Sequence, residues 1–265
     1  MREQHNLTHS LSKEELFTYR QRGYLIRESV FTLSELSELT ASAERAVALA
    51  HDQSATGKSY HLDGKRFVDI GKMTVQFEPG DKGEIIRVIE PAHHLDALLE
   101  ALVGDVRIVD PVKSIIGVDQ VSVWTNKLNL KRPGKGSGFG WHQDSPYWIH
   151  DSGHVDLLPN VYFAFDDACA ENGCLRVIDK SHLRGCLPGT SDGSQLGGFF
   201  TDPACFDERD QVAMEAPAGS LVFFDPHSIH GSEPNRSAKP RRAMVLTYQP
   251  ANFPMLKTGE VRNAG

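Results

Sequence analysis

The first hundred residues place hydrophobic side chains mainly with the period of an α-helix. Residues 33–50 carry apolar side chains at helical spacing among many Ala, Glu and Arg residues, which predicts a long amphipathic helix. Residues 91–103 predict a second helix, because leucines recur there on one helical face. Ser12 and Glu15 have the spacing of a capping box, and the helix that they start is expected to lead into a strand at residues 24–26. Residues 51–65, rich in Gly, Ser, His and Asp, predict a loop.

The pattern changes near residue 108, where short runs of β-branched and aromatic residues replace the helical period. Gly, Pro, Asp and Asn bound these runs, as is typical of strands. The runs cover residues 122–124, 158–165, 175–178, 220–224 and 243–248. Residues 131–138 predict a flexible turn, and the glycine-rich residues 185–209 predict a long irregular segment of the kind that forms lids or binding loops.

This order of elements predicts one domain over residues 1–265 that is mainly β with helical support (α+β). A helix-rich front is expected over about residues 1–105, and a small β-barrel or jelly roll over about residues 106–250.

Composition narrows the class of protein. The chain has 265 residues, 40% of them hydrophobic, and a formal net charge of −7 without a Lys/Arg block, so nucleic acid is not expected as a partner. No apolar run is long enough to cross a bilayer, and residues 1–5 offer no apolar signal segment. The four cysteines lack CxxC spacing. A soluble cytoplasmic protein is expected, with its oligomeric state left open.

Three residues suggest a metal centre. His142 and Asp144 are separated by one residue, so on an extended segment they point to the same side, and His230 supplies a second imidazole. Two His and one carboxylate form the facial triad that holds Fe(II) and leaves open positions for a co-substrate and O₂. Alternatively, His142 caps a turn and Asp144 starts one. His227 competes with His230 as the ligand, and we favour His230 because of its spacing to Arg241.

Arg241 and Arg242 pose a choice of orientation. Neighbours on a strand face opposite sides, so only one of them can point into a barrel, where its charge needs a partner. The C5 carboxylate of 2-oxoglutarate would be a bidentate partner for Arg241. Alternatively, both arginines lie exposed at the end of a basic loop.

In three segments the chain resembles the phytanoyl-CoA dioxygenase family of Fe(II)/2-oxoglutarate oxygenases. Lys-Arg-Pro-Gly at 131–134 precedes Trp-His-Gln-Asp at 141–144. Residues 171–182 are similar to the family's ENG-LRV-PGSH segment, with Asp-Lys in place of Pro-Gly. The third segment runs from His-Gly-Ser at 230–232 to Pro-Arg-Arg-Ala at 240–243.

The resemblance implies a double-stranded β-helix (cupin-like jelly roll) with Fe(II) bound by His142, Asp144 and His230. Arg241 would bind the distal carboxylate of 2-oxoglutarate, assisted by Ser232, and Arg87 matches a further basic residue of the family. Secondary candidates for the pocket, which are equally well explained as ordinary strand residues, are Thr125, Lys127, Asn129 and Tyr162. Gln143 is expected to face away from its two neighbours.

The expected activity is hydroxylation of an unactivated C–H bond in a small or mid-sized organic metabolite, with 2-oxoglutarate and O₂ as co-substrates. Retention of Asp144 argues against halogenation, whereas desaturation, cyclisation and epimerisation stay open. A non-oxygenase, cupin-like metal protein could use the same triad but would not need Arg241. The expected pocket wall comprises Trp148, Phe199, Phe200, Phe206 and residues 51–65.

Overall fold

The structure is a computed structural model that describes residues 9–80, 84–191, 193–194 and 196–265. Residues 1–5, for which no apolar signal segment is expected, lie outside the described residues, as do two positions of the segment 185–209. The described helices are α1 (Lys13–Arg22), α2 (Leu33–Ser54), α3 (Ala97–Leu102), α4 (Val106–Ile116) and α5 (Ser145–Trp148). None of the described helices is long and apolar enough to span a membrane.

The strands are mostly short. They are β1 (Tyr24–Arg27), β2 (Lys58–Leu62), β3 (Lys65–Ile70), β4 (Met73–Phe77), β5 (Ile86–Glu90), β6 (Val121–Lys131), β7 (Phe139–His142), β8 (Asn160–Ala164), β9 (Arg176–Ile178), β10 (Gln211–Ala213), β11 (Leu221–Phe224), β12 (His230–Ser232), β13 (Arg241–Pro250) and β14 (Asn263–Ala264). Within the described residues they form two antiparallel sheets. The large sheet has the order β1-β11-β8-β13-β6-β5-β4-β3-β2, with β14 also paired to β6, and the small sheet has the order β10-β9-β12-β7.

The large sheet buries side chains on both of its faces. On β8, Val161 and Phe163 belong to the main core, which also contains the apolar faces of α2 and α4. Tyr162 and Ala164 alternate with them and belong to a second apolar cluster, which includes Val177 of the small sheet. Two antiparallel sheets packed face to face, with helices on the outside, form a double-stranded β-helix. The predicted fold class is therefore confirmed.

Several predicted elements are also confirmed. Ser12 caps α1 in a capping box with Glu15, and Gly23 ends that helix with a positive φ of 81° before β1 begins. A left-handed backbone suits glycine because it has no Cβ, and the same residue leaves room for His182, whose ring would lie 2.4 Å from an added Cβ. The helix predicted at 33–50 is α2, and each of the five predicted strand runs contains a strand.

Other predictions about the elements are wrong. Residues 51–65 are not a loop, since α2 continues to Ser54 and both β2 and the start of β3 follow. Strands β2 to β5 were not predicted in the front, where they accompany α1, α2 and α3, and α4 lies inside the stretch predicted to be β. That helix contains Pro111 and many β-branched residues, which favour a strand locally, but Asp105 caps its start and packing against the sheet stabilises it. The helix predicted at 91–103 begins only at Ala97, after a 3₁₀ turn.

Candidate active site

His142 and His230 face each other on the small sheet. They are direct partners in the antiparallel pairing of β7 with β12, and their ring centroids lie 4.1 Å apart. Asp144 lies just beyond β7, at the start of α5, where its backbone N–H donates to the carbonyl of Pro226. One ligand atom of each of the three residues lies within 4.8 Å of the other two. The structure therefore brings together the three residues that the sequence predicted as a triad.

Local hydrogen bonds set the orientation of both imidazoles. Nδ1 of His142 lies 2.7 Å from the carbonyl of Gly140, and Nδ1 of His230 lies 2.9 Å from the carbonyl of Ser228. A carbonyl only accepts, so in each ring Nδ1 donates and Nε2 keeps its lone pair for a metal ion. His230 is the first residue of β12.

The site keeps the ligand atoms in the protonation states that a metal needs. Burial, together with the nearby His230, lowers the pKa of His142 to about 3, so its imidazole is neutral at physiological pH. Burial alone would raise the pKa of Asp144, but His230, Lys127 and a hydrogen bond from Asn160 outweigh it and lower that pKa. The amide of Asn160 donates to Oδ2 of Asp144 at 2.8 Å. Neutral imidazoles and an ionised carboxylate are the forms that bind Fe(II).

The triad opens into a cavity of about 490 Å³ between the two sheets. Large-sheet strands β3 to β6 contribute to one wall, and residues of the small sheet form another. Tyr147 of α5 stacks on Phe199 with ring centroids 4.4 Å apart, and Phe200 approaches the backbone of Gly140. Segment 185–209 thus contributes aromatic side chains to the cavity, as a binding loop would.

Two predicted wall residues do not line the cavity. Trp148 is buried against Trp124 and Leu158, and Phe206 packs against Trp141 instead. Of the predicted segment 51–65, Tyr60 and Lys65 line the cavity, together with Phe67 just beyond it.

Arg241 and Arg242 have different environments. Arg242 donates to both carboxylate oxygens of Asp166, at 2.8 and 2.6 Å, and forms an ion pair with Glu44. Arg241 lines the cavity, is only 2% exposed and makes no ion pair with the described residues. Its Nη1 donates to the hydroxyl of Tyr162 at 3.4 Å, and its Nε has no hydrogen-bond partner among the described residues. A buried guanidinium in this situation requires an anion from outside the chain.

Further cations surround Arg241, and one of them was missed by the sequence analysis. Arg87 is 3% exposed and lines the cavity, and its Nε also lacks a partner among the described residues. Lys131 belongs to the predicted turn 131–138 but is the last residue of β6 and only 1% exposed. Its Nζ donates to Oγ of Ser232 at 2.7 Å and to the carbonyl of Glu233. Burial, together with Arg241 and Arg87, lowers the pKa of Lys131 to about 6. No spacing in the sequence indicates this contact.

The remaining candidates divide between the cavity and its surroundings. Those that line the cavity are Ser232, Lys127, Asn129 and Tyr162. Thr125 does not line it, because its hydroxyl donates to the carboxylate of Glu90, which does. Thr125 therefore borders the cavity through Glu90, and a contact of Thr125 with the co-substrate stays a prediction.

Two neighbours of the triad have supporting positions. The side chain of Gln143 is fully buried and hydrogen-bonds the backbone of Gly185, Leu187 and His227, which ties segment 185–209 to the site. The ring of His227 lies between Ser145 and Asp156, at 2.8 and 2.7 Å, rather than in the triad.

The described residues fit Fe(II) and 2-oxoglutarate. The donor set of two imidazoles and one carboxylate matches a non-haem iron site with open positions. The unpartnered guanidinium of Arg241 on the same cavity matches the free carboxylate of a bound 2-oxo acid.

Comparisons with known proteins agree with this geometry. An ectoine dioxygenase of Bordetella parapertussis is 27% identical over 252 residues, which cover 90% of this chain and 75% of that protein. An L-proline trans-4-hydroxylase of Streptomyces griseoviridis is 28% identical over 180 residues, 62% of this chain and 67% of that protein.

A solved structure is similar in fold. The non-heme alpha ketoglutarate dependent carbocyclase SnoK from nogalamycin biosynthesis superposes with a TM-score of 0.68 at 20% identity, covering 92% of this chain and 86% of that one. The sequence profile of the phytanoyl-CoA dioxygenase (PhyH) family matches residues 19–243, most of the chain. The protein therefore belongs to the phytanoyl-CoA dioxygenase family.

Proposed function

We propose that the protein is an Fe(II)- and 2-oxoglutarate-dependent dioxygenase that hydroxylates an unactivated C–H bond of a small or mid-sized organic metabolite. One observation carries this proposal. A His-Asp-His cluster and a buried guanidinium without a carboxylate partner among the described residues line the same cavity. A cupin-like metal protein without a co-substrate would have no use for the second feature.

In this proposal, His142, Asp144 and His230 hold the iron, and the hydroxyl of Ser232 together with Arg241 binds the distal carboxylate of 2-oxoglutarate. When Fe(II), 2-oxoglutarate and O₂ are bound, they supply the oxidant that removes a hydrogen atom from the substrate and returns a hydroxyl group. The chain itself positions the target carbon. Tyr147, Phe199 and Phe200 exclude water from the reacting centre, since they form an aromatic wall beside the triad.

The relatives support a small substrate. The names ectoine dioxygenase and L-proline trans-4-hydroxylase both refer to oxidation of small molecules. A cavity of about 490 Å³ is of the size that encloses a metabolite rather than a macromolecule.

Anaerobic titration of the Fe(II)-loaded protein with 2-oxoglutarate tests the proposed function. We expect a weak visible absorption band as the co-substrate chelates the iron, followed in air by conversion of 2-oxoglutarate to succinate. The variant Asp144→Ala should show neither signal. Bound iron that gives no band and no succinate would instead support a cupin-like metal protein.

Binding of 2-oxoglutarate near neutral pH is expected to take up protons through Lys131. Without ligand, Lys131 is mostly neutral at that pH because its pKa is about 6, in part through the charge of Arg241. A carboxylate that pairs with Arg241 offsets this charge, so the pKa of Lys131 rises and protons are bound. Below the unliganded pKa, Lys131 is already protonated and the uptake disappears.

Calorimetric titrations in two buffers of different ionisation enthalpy measure this uptake. The variant Lys131→Met removes the titrating group and should bind 2-oxoglutarate without it. Equal proton uptake by this variant and the wild type would show that another group titrates.

A further inference from the structure

The cavity of the candidate active site contains more positive charge than its proposed metal and co-substrate account for. Among the described residues that line it, the cations are Lys65, Arg87, Lys127, Arg241 and Lys257, and the carboxylates are Glu90 and Asp144. The two charges of Fe(II) cancel those of the 2-oxoglutarate dianion. Among the lining residues three positive charges therefore stay without a counter-charge, and just outside the lining the buried carboxylate of Glu78 offsets part of the charge of Arg87.

Lys127 lies beside the metal triad and its ammonium makes no hydrogen bond or ion pair with the described residues. Its Nζ is 5.8 Å from the ring centre of Trp148. Burial acts to lower the pKa of Lys127, but the negative charges of Glu90 and Asp144 outweigh it, so the pKa is raised. Both carboxylates have other partners, because Glu90 accepts from Thr125 at 2.8 Å and lies 3.9 Å from Lys257, while Asp144 belongs to the triad.

Lys65 borders the same cavity from the start of β3. Its Nζ lies 5.8 Å from the ring centre of Phe200, and it too has no ion-pair partner among the described residues. Burial lowers the pKa of Lys65 and repulsion from Arg87 lowers it further, and the charges of Asp63 and Glu78 offset only part of this shift. An anion placed near Lys65 would relieve this repulsion and the desolvation of the ammonium.

The two lysines stand on opposite sides of the cavity floor. Strands β6, β5, β4 and β3 are consecutive in the large sheet, and their register carries the position of Lys127 through Glu90 and Thr74 to Asp69 of β3. Because Lys65 lies further along β3 than Asp69, the backbones of the two lysines are separated by roughly 20 Å at the usual strand spacing and rise. An anion that lies over β5 and β4 would therefore sit between the two ammonium groups and be attracted by both.

From these charges we propose that the primary substrate is an organic oxyanion, a carboxylate or a phosphonate, whose charged group lies over β5 and β4, between Lys127 and Lys65. This inference rests on the proposed function, because the charge balance assumes that Arg241 and the triad are occupied by 2-oxoglutarate and Fe(II). Two lysine point charges would accept either oxyanion, whereas a neutral substrate would leave both half-buried ammonium groups without a counter-charge.

Three probes with one skeleton and different charge test the proposal. They are 3-phenylpropanoate, 2-phenylethylphosphonate and the neutral 3-phenylpropanamide, and their aromatic ring suits a wall that contains Phe67 and Phe200. Binding is measured by calorimetry on the anaerobic protein loaded with Fe(II) and saturating 2-oxoglutarate, which keeps the probes out of the co-substrate site. We expect at least one oxyanion to bind roughly 10- to 100-fold more tightly than the amide. Added salt should reduce the preference.

Variants assign the preference to the two lysines. The double variant Lys65→Met/Lys127→Met should bind oxyanion and amide equally, while Lys58→Met, an exposed lysine on the neighbouring strand, should keep the wild-type preference. Equal binding of all three probes by the wild type, or a preference that survives the double substitution, would overturn the proposal. The salt dependence of the wild type decides the case if the double variant fails to fold.

The experiments distinguish an error in the proposed function from an error in the proposed substrate class. If the protein forms no complex with Fe(II) and 2-oxoglutarate, the oxygenase assignment is wrong. If that complex forms and turns over 2-oxoglutarate but does not discriminate between the charged and neutral probes, only the assignment of the substrate class is wrong.

Discussion

Replacing His230 with Ala is expected to abolish both Fe(II) binding and 2-oxoglutarate turnover, whereas His227→Ala should retain them. His230 holds one corner of the triad, and its ring lies 4.1 Å from that of His142. Removing it leaves two ligands, too few to hold the ion in a three-sided site. His227, only three residues away, is hydrogen-bonded to Ser145 and Asp156 instead. Its loss should lower the free energy of unfolding by about 1 kcal/mol.

The comparison is made on protein that has been loaded with Fe(II) without oxygen and desalted. Bound iron is counted, and succinate is measured after addition of 2-oxoglutarate in air. A melting curve for each variant separates loss of the site from loss of the fold. Iron retained by His230→Ala but lost by His227→Ala would show that the wrong histidine has been placed in the triad.

Replacing Arg241 with Ala is expected to weaken 2-oxoglutarate binding by roughly 2–4 kcal/mol, or about 30- to 1,000-fold in Kd, while Fe(II) binding is preserved. Arg241 is 2% exposed, lines the cavity and has an Nε without a hydrogen-bond partner among the described residues. A carboxylate bound to its guanidinium would therefore supply the missing counter-charge. The visible absorption change on anaerobic titration gives the Kd. Arg241→Lys should restore part of the affinity, because it keeps the charge but not the planar fork of donors.

Arg242→Ala provides the matched control. It removes the contacts with Asp166 and Glu44, so the expected loss is in stability and not in affinity for 2-oxoglutarate. If Arg242→Ala weakened the binding of 2-oxoglutarate while Arg241→Ala left it unchanged, the assignment of the two arginines would have to be exchanged.

Features that depend on local sequence were predicted well. The capping box at Ser12 and the amphipathic pattern of α2 define those helices through contacts between near neighbours along the chain. The strand runs after residue 120 combine β-branched and aromatic residues with turn-forming boundaries, and each contains a strand. The triad could also be proposed, because His142 and Asp144 are close in sequence and the spacing to Arg241 favoured His230 as the distant ligand.

Features that depend on distant packing could not be predicted. Strands β2 to β5 pair with one another and with β6 at the side of the large sheet, and only β4 shows clear alternation of buried and half-buried positions. In the sequence, Lys131 is one of several basic residues in a predicted turn. Its burial depends on the tertiary fold, because β12 places Ser232 within hydrogen-bond distance of its ammonium group. Thr125 shares a strand face with Lys127, yet its hydroxyl donates to Glu90 of β5 and the residue itself does not line the cavity.

The direct cross-strand pairing of His142 with His230 determines where the chain tolerates changes in length. Insertions or deletions between the two strands, as in segment 185–209, alter the reach of a loop without moving either imidazole. A single residue inserted within β7 or β12 would instead rotate its histidine to the opposite face of the sheet. Homologous enzymes can therefore acquire loops of very different size above a conserved metal centre, and loop exchange is the natural route for redesigning which molecule is oxidised.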